Sequence, residues 1–558
     1  MKIFCPKKNT NIFWIFLFLK EKSYMKRKLI TSALPYIHGI PHLGNIIGSV
    51  LPADVYSRFC RLKGEKVLYI CGSDSHGTMF EIVAEKNKTT PKQIVYQNHK
   101  KVKDIFKKFE MSFDYYGITD SKINEEFTDH IFKKLDENNY IIELEVENAY
   151  CEKCRKFLPD RFIEGKCSFC GGLARGDQCD DCGRLIDVKE IIDSHCIFCK
   201  GKIKFRKTKH LFLNLPKFEK ELFEFVEKSR GWSKLAKMET LGFLKRGLKP
   251  RAITRDASWG FKVPKKNYEN KVFYVWFDAP VGYLSFTKEW CLKNDQKFED
   301  WWKNKDTELV QFMGKDNTIF HSIIFPAMLL GCRENWKLAD RLISCGWLKT
   351  EGIKFSKSRE KGLTTEEALK KYPADYWRFV LVSLYPEQND SVFSIEVFKE
   401  TINNEFADII GNFVHRVLSF CYSNFGKIPE PNKDNINYSP PEEIKEAKNI
   451  FKTITKNFED CRFQEALKNI VHYGKKANAY FNNNEPWKKE EEEKKEICFY
   501  SGNLVKNLAI LIYPIVPNFS EKVFDFLNLN PKKLKWNEAE KFDYMGKIKK
   551  SRPLINKL

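Results

Sequence analysis

The stretch Leu29-Ile30-Thr31-Ser32-Ala33-Leu34-Pro35-Tyr36-Ile37-His38-Gly39-Ile40-Pro41-His42-Leu43-Gly44-Asn45 decides the fold. Leu29 to Ser32 reads as a buried strand, and Pro35, Gly39 and Pro41 break the chain into a loop. From His42 a helical pattern runs to about Leu62, with Gly64 beyond it as a stop signal, and Pro52 should bend or restart that helix. Val67 to Cys71 then reads as a second strand, ending at Gly72-Ser73-Asp74. Strand, helix and strand make a βαβ unit, and open parallel sheets bind ligands in the loops at their strand C-termini.

Outward from this unit, the sheet pattern stops after about residue 120 and returns at Val272-Phe273-Tyr274-Val275-Trp276-Phe277, with further strands expected at Leu309 to Met313 and Leu342 to Cys345. A nucleotide-binding domain split by an insertion accounts for this. Past about residue 400 helical periodicity takes over. Phe451, Ile454 and Phe458 share one face, as do Leu467, Ile470, Val471 and Gly474, which predicts a helix bundle. Lys488 to Lys495 alternates in charge and reads as a solvated face or loop. A second short signature, Lys354-Phe355-Ser356-Lys357-Ser358, lies far downstream of Pro41-His42-Leu43-Gly44-Asn45; together they suggest a site that activates a substrate with ATP.

The chain has 558 residues, enough for several cores, and 42% hydrophobic content. A net charge of +22 points to a polyanionic partner, since clustered Lys and Arg bind phosphates by releasing counterions. Residues 1–24 carry an apolar run, Ile12 to Leu19, too short to span a bilayer and followed by Lys20, Glu21 and Lys22 rather than a cleavage site. Met25 opens the segment that runs directly into the first strand, so translation is expected to begin there or residues 1–24 to be a dispensable extension.

Of 17 cysteines, eight form CxxC pairs: Cys151/Cys154, Cys167/Cys170, Cys179/Cys182 and Cys196/Cys199. Four thiolates make a closed tetrahedral zinc site with no open position for water, so eight predict two structural zinc ions. Four pairs combine in three ways; the short Cys170-to-Cys179 loop favours one ion on Cys167, Cys170, Cys179 and Cys182, with the outer pairs nested around it. Zinc thiolates with scattered free cysteines fit a reducing, cytoplasmic compartment.

With these features in place the chain resembles the methionyl-tRNA synthetases, class I aminoacyl-tRNA synthetases, over about residues 26 to 550. The resemblance rests on the two signatures and on Ala33-Leu34-Pro35-Tyr36, Cys71-Gly72-Ser73-Asp74-Ser75-His76-Gly77-Thr78, Tyr274-Val275-Trp276-Phe277-Asp278-Ala279-Pro280, Gly314-Lys315-Asp316-Asn317 and Asn484-Glu485-Pro486-Trp487. The doubled knuckles look most like the archaeal and eukaryotic-type branch. The resemblance implies an α/β fold: a split Rossmann-type parallel sheet, a zinc-knuckle connective insertion and an α-helical anticodon-binding bundle. It divides the chain into an extension (1–24), catalytic halves (25–120 and 273–345), the insertion (121–272, knuckles at 151–201), a stem-contact region with the second signature (346–400) and the anticodon domain (401–558).

The same resemblance implies methionine activation by ATP, with Mg²⁺, followed by transfer to the 3′ end of tRNA(Met). His42, Asn45, Lys354 and Lys357 would act on ATP, with Gly314 and Asp316 at its ribose. Asn45 departs from the His most class I enzymes carry there but still donates a hydrogen bond, and Phe355 replaces the commoner Met. Leu34, Tyr36, Trp276, Ala279, Pro280, Tyr283 and His321 would enclose the methionine side chain, an aromatic wall suiting a thioether, and Asp74 would pair with its ammonium group. Asn412, Arg416 and Trp487 match the anticodon readers.

Other class I synthetases share both signatures, but branched-chain enzymes need an editing insertion, for which residues 121–272 leave little room. A noncatalytic zinc-knuckle RNA-binding protein would not require Asp74, Trp276, His321 and Lys357. A monomer is expected, with any further tRNA-binding module on a separate accessory protein, and no membrane partner.

Overall fold

The computed structural model describes residues 27–158, 162–176, 178–179, 186–350, 353–354, 363–431 and 441–558. The extension with its start at Met25, Cys182 and Lys357 lie outside them, and of Lys354 only the backbone is described. Five parallel strands form the central sheet: β1 (Arg27–Ser32), β2 (Lys66–Ser73), β3 (Tyr115–Ile118), β4 (Thr307–Gly314) and β5 (Arg341–Cys345), in the order β5-β4-β1-β2-β3. This is the doubly wound order in which the crevice beside the first strand takes a nucleotide. Leu29 lies in register with Leu68 on one side and Leu309 on the other.

Side chains on a strand alternate between faces, so each strand feeds two cores. Leu29, Leu68, Ile70, Leu309 and Leu342 pack with Phe286 and Trp302 on one face. Ile30, Tyr69, Val310 and Phe312 pack on the other in a cluster that runs on into the helical C-terminal third, through Phe413, Ile454 and Leu508. No break in that core marks residue 401. A Cβ on Gly72 or Gly117, register partners on β2 and β3, would come within 2.3 Å or 2.2 Å of the Phe286 ring, so only glycine lets the Gly282–Lys293 helix lie this close.

The helix after β1 is continuous over Leu43–Asn45, Ile46–Val50 and Leu51–Leu62, its middle segment wound as π-helix. Pro52 lacks an N–H and its ring would strike the Gly48 carbonyl in a regular turn; the widened turn accommodates it without a break. The same solution recurs at Phe320–Ile324, just before Pro326. One strand expectation needs correction. Only Val272–Phe273 is strand, paired antiparallel with Thr254–Arg255 outside the central sheet, while Val275–Asp278 is a helical turn. The aromatic run there has strand propensity, but tertiary packing overrides it. The charged run at 488 to 495 likewise enters a long helix, Glu491–Ile512, with three glutamates in its first turn, where the helix dipole favours them.

The insertion is built on a hairpin, Ile141–Cys151 against Ile203–Leu213, paired without interruption from Ile141↔Leu213 to Cys151↔Ile203. Its tip carries the knuckles.

Arg378 ties the catalytic and helical parts together. Its side chain is fully buried and all five N–H groups are used: Nη2 bonds Asp54 at 2.7 Å and the Pro514 carbonyl at 3.0 Å, Nε the Ile515 carbonyl at 2.6 Å, and Nη1 the Phe109 carbonyl at 3.1 Å and the Glu110 carbonyl at 3.4 Å. Asp54 also takes Arg58 and both the N–H and hydroxyl of Ser112. Burial alone would raise Asp54, but Arg58 and Arg378 hold it well below the usual carboxylate range. Removing one member of such a network strands a buried charge, so Arg378→Met is expected to cost about 3–5 kcal/mol in chemical denaturation and Arg378→Met with Asp54→Asn to recover part of it. A loss no larger than that of a surface substitution would contradict this.

Candidate active site

The C-terminal ends of β1, β2 and β4 open into a cleft of about 1790 Å³, lined by Leu34, Tyr36, His42, Asn45, Asp74, Trp276, Gly314 and Asp316. Residues of the insertion, among them Phe198, Lys200 and Phe205, form its far wall. His42 caps the helix after β1, and its backbone N–H donates to Asn45 Oδ1 at 3.1 Å. The Asn45 carboxamide oxygen is thus committed to the cap, and its Nδ2 is the donor left for the cleft. The Pro41 carbonyl accepts from both the N–H and the hydroxyl of Thr365, each at 2.9 Å, and Leu43 N–H donates to the Leu363 carbonyl. The first signature is therefore bonded to the residues that follow the second. On the other flank, Leu348–Thr350, beginning at a cleft residue, pairs with Ile353–Lys354. Both flanks of the second signature are anchored at one cleft.

Lys315 and Lys349 share Asp390, at 2.7 and 2.9 Å, and Lys315 lies over the Trp347 ring at 3.9 Å. This holds the Gly314-to-Asn317 turn beside the strand leading into the second signature.

A second cavity of about 20 Å³ lies deeper, lined by Leu34, Asp74, Trp276, Ala279, Pro280, Tyr283 and His321, with Ala33, Asn317 and Phe320. Seven of the eight residues expected around methionine meet there; Tyr36 lines the larger cleft instead. Gly77, at φ +112°, lies where a Cβ would be 2.7 Å from the Tyr36 hydroxyl, so glycine is required beneath that ring. His321 Nδ1 is 2.9 Å from the Asn317 carbonyl and must donate to it, so Nε2 accepts from the Tyr283 hydroxyl at 2.8 Å. Burial pushes His321 down to about 4, so the floor of the cavity is neutral. Asp74 is buried, and its Oδ1 has no partner.

Sequence reading missed Phe320, which stacks on Trp276 at 3.6 Å and 11° and lids the cavity. It also missed Arg255, which lines the cleft with its guanidinium 3.8 Å from the Tyr274 ring centroid.

The cysteines fall into two groups, Cys151, Cys154, Cys196 and Cys199, and Cys167, Cys170 and Cys179. Cys151 and Cys199 sulfurs lie 3.3 Å apart, Cys154 and Cys196 3.9 Å, and Cys170 and Cys179 3.6 Å. Tetrahedral zinc with Zn–S bonds of about 2.3 Å places sulfurs about 3.8 Å apart, so the groups fit it. The Gly201 N–H bonded to Cys199 Sγ at 3.4 Å lowers that thiol to about 7, favouring the thiolate a metal takes. The nested pairing was the arrangement the short central loop favoured.

Far from the cleft, Arg416 Nη2 donates to Asn482 at 2.7 Å and its guanidinium lies 5.9 Å from the Phe481 ring, which meets Trp487 edge-on at 6.1 Å. Trp487 is 47% exposed. Asn412 bonds Asp408 at 3.1 Å. Sequence reading did not single out Phe481 and Asn482, near the end of the Phe463–Asn483 helix.

A doubly wound sheet with one signature loop and the flanks of the other at one nucleotide-sized cleft, a cysteine-rich insertion and a helical bundle defines a class I aminoacyl-tRNA synthetase. Residues 28–418 match the family model for tRNA synthetases class I (M), and 444–552 that for the anticodon-binding domain of tRNA ligases. The chain is 39% identical to the methionine–tRNA ligase of Thermofilum pendens over 96% of its length and 95% of the relative's. It is 42% identical to that of Borreliella afzelii over 90% and 69%. Its fold matches Mycobacterium tuberculosis methionyl-tRNA synthetase, solved in complex with methionyl-adenylate, with a TM-score of 0.77 at 21% identity, over 94% of this chain and 98% of the other. The chain belongs to the methionyl-tRNA synthetase family, the methionine–tRNA ligases.

About 20 Å³ holds little more than one water, so a ligand can enter the deep cavity only if Trp276 and Phe320 part. Saturating methionine is expected to change tryptophan emission, and Trp276→Phe to remove most of that change; an unaltered change in the variant would place the ligand elsewhere.

Proposed function

We propose that the deep cavity takes the methionine side chain and the adjoining cleft takes ATP, so that the two substrates meet between Asp74 and the helix that begins after His42. The convergence of Leu34, Asp74, Trp276, Ala279, Pro280, Tyr283 and His321 on one cavity carries this reading. The neutral Tyr283–His321 floor and aromatic lid suit a thioether, a soft, uncharged group. Asp74, buried with an open carboxylate oxygen, receives the ammonium group and turns the substrate carboxylate toward the cleft.

That carboxylate attacks the α-phosphorus of ATP and pyrophosphate leaves with the bond's electrons. The terminal ribose hydroxyl of tRNA then attacks the acyl carbon and AMP leaves. No covalent enzyme intermediate is needed; positioning and charge stabilisation do the catalysis. His42, the Asn45 amide and the helix N-terminus face the phosphates, Gly314 and Asp316 the ribose, and Lys354 and Lys357 the leaving pyrophosphate. Mg²⁺ bound with ATP would neutralise phosphate charge. Cys151, Cys154, Cys196 and Cys199 would hold one structural zinc and Cys167, Cys170, Cys179 and Cys182 a second, each closed to substrate. Arg416 and Trp487, with Asn412, would hold unstacked anticodon bases by stacking and edge hydrogen bonds. The chain works as a monomer, and no described helix is long and apolar enough to cross a membrane.

Amino-acid-dependent ATP–pyrophosphate exchange tests the reading: methionine should support exchange, and leucine, isoleucine, valine and cysteine should not. Exchange driven by another amino acid would overturn the pocket assignment. Because the insertion walls the cleft, it should also guide the tRNA acceptor end. Cys167→Ser with Cys170→Ser is expected to remove one zinc equivalent and slow aminoacylation more than exchange, whereas an unchanged aminoacylation rate with zinc lost would reject that role.

A further inference from the structure

His76 has no part in the scheme above, yet it is tightly constrained beside the amino acid pocket. It stands two residues after Asp74 in the loop leaving β2, and 2% of its side chain is exposed. Its Nδ1 is 2.6 Å from Asp278 Oδ2 and its Nε2 is 3.5 Å from Asp120 Oδ1. Phe261 and Trp259 meet the ring edge-to-face, at centroid distances of 4.5 and 5.7 Å. The three groups come from three loops on the site's rim: His76 after β2, Asp120 after β3, and Asp278 at the end of the turn that carries Trp276. Asp120 is further pinned to the His76 loop by its N–H to Ser75 Oγ at 2.7 Å.

An imidazole with a carboxylate at each nitrogen donates from both and carries a positive charge. Burial alone would lower it, but Asp278 and then Asp120 push His76 up to about 10. Asp74 feels the opposite balance. Burial first and then Asp278 push Asp74 well above the usual carboxylate range, and His76 opposes them only in part. The tyrosines nearby, Tyr36 and Tyr283, are pushed up by burial and stay neutral. Lys92 and Tyr96 act on Asp120 from the outer side, and Arg255 lines the cleft.

We propose that His76 is a positioning residue for methionine activation: as an imidazolium bridging Asp278 and Asp120, it locks the Trp276 turn to the Asp74 loop and places a positive charge there that favours the Asp74 carboxylate as it takes the substrate's ammonium group. The proposal rests on the assignment of Asp74 to that ammonium group. Without the imidazolium, Asp278 faces Asp74 uncompensated, and Asp74 keeps its proton to higher pH. Methionine must then displace that proton, so binding weakens as pH falls and recovers as pH rises.

The test is the pH dependence of the KM values for methionine and ATP in pyrophosphate exchange, for the full chain and for His76→Asn, Asp74→Asn and His76→Asn with Asp278→Asn. At neutral pH His76→Asn is expected to raise the methionine KM about 10-fold or more and the ATP KM by less than about twofold. The methionine defect should shrink as pH rises, with a weaker pH dependence in the parent chain. Adding Asp278→Asn, which removes the uncompensated anion, should recover about threefold or more of the lost affinity. A pH-independent loss shared by both substrates, with no recovery in the double variant, would show a merely structural histidine and overturn the proposal. If His76→Asn does not fold, the double variant, which leaves no unpaired Asp278, is compared with the parent chain, and a loss shared equally by methionine and ATP there overturns it equally. An unchanged methionine KM in Asp74→Asn would refute the ammonium assignment itself. A large effect of Asp74→Asn beside a flat His76→Asn profile would refute only the role of His76.

Discussion

The architecture depends on the buried Arg378–Asp54 pair. Arg378 is the place where the helix after β1, the chain leading to β3 and the Pro514-Ile515 turn of the helical third meet, each through a polar group that has no access to water. A guanidinium can satisfy five acceptors at fixed angles, so the arrangement is directional where apolar packing is not. It also explains why burying a charge is tolerable here: every N–H is bonded, and Asp54 is itself satisfied by Arg58, Arg378 and Ser112.

Around that point a single core serves both activities. The face of the sheet holding Ile30, Tyr69 and Phe312 is continuous with the helical bundle, and the bundle carries Arg416 and Trp487 on its surface. The opposite face supports the Gly282–Lys293 helix and the Trp276 turn. The C-terminal rim between the two cores is where the cleft opens, because the parallel strands end there and their loops are free to diverge. The floor of the deep cavity is a neutral Tyr283–His321 pair, and Asp74 lines both that cavity and the cleft.

Much of this was legible in the sequence, and the limits have physical causes. Short apolar runs bounded by glycine and proline located β1, β2, β4 and β5, and the short Cys170-to-Cys179 loop favoured, without fixing, the nested sulfur groups. Val275–Asp278 was misread because its aromatic residues favour strands in isolation, whereas its packing against Phe320 and His76 makes it a turn. Arg378 could not be singled out, since a lone arginine in an apolar helix shows its meaning only through Asp54, 324 positions away. His76 is alike: its Asp278 partner lies 202 positions downstream. Long-range polar pairs leave no local periodicity, so sequence patterns that find cores pass over them.

On the proposed reading one core fixes both a small-molecule pocket and a surface for nucleic acid. The central claim is that the chain selects methionine at the deep cavity and its tRNA at the bundle. The most direct measurement is initial-rate aminoacylation of a tRNA(Met) transcript beside transcripts with single anticodon base changes, with methionine-dependent pyrophosphate exchange followed in parallel. The account predicts that anticodon changes sharply reduce charging while exchange stays constant. Charging indifferent to the anticodon would contradict it.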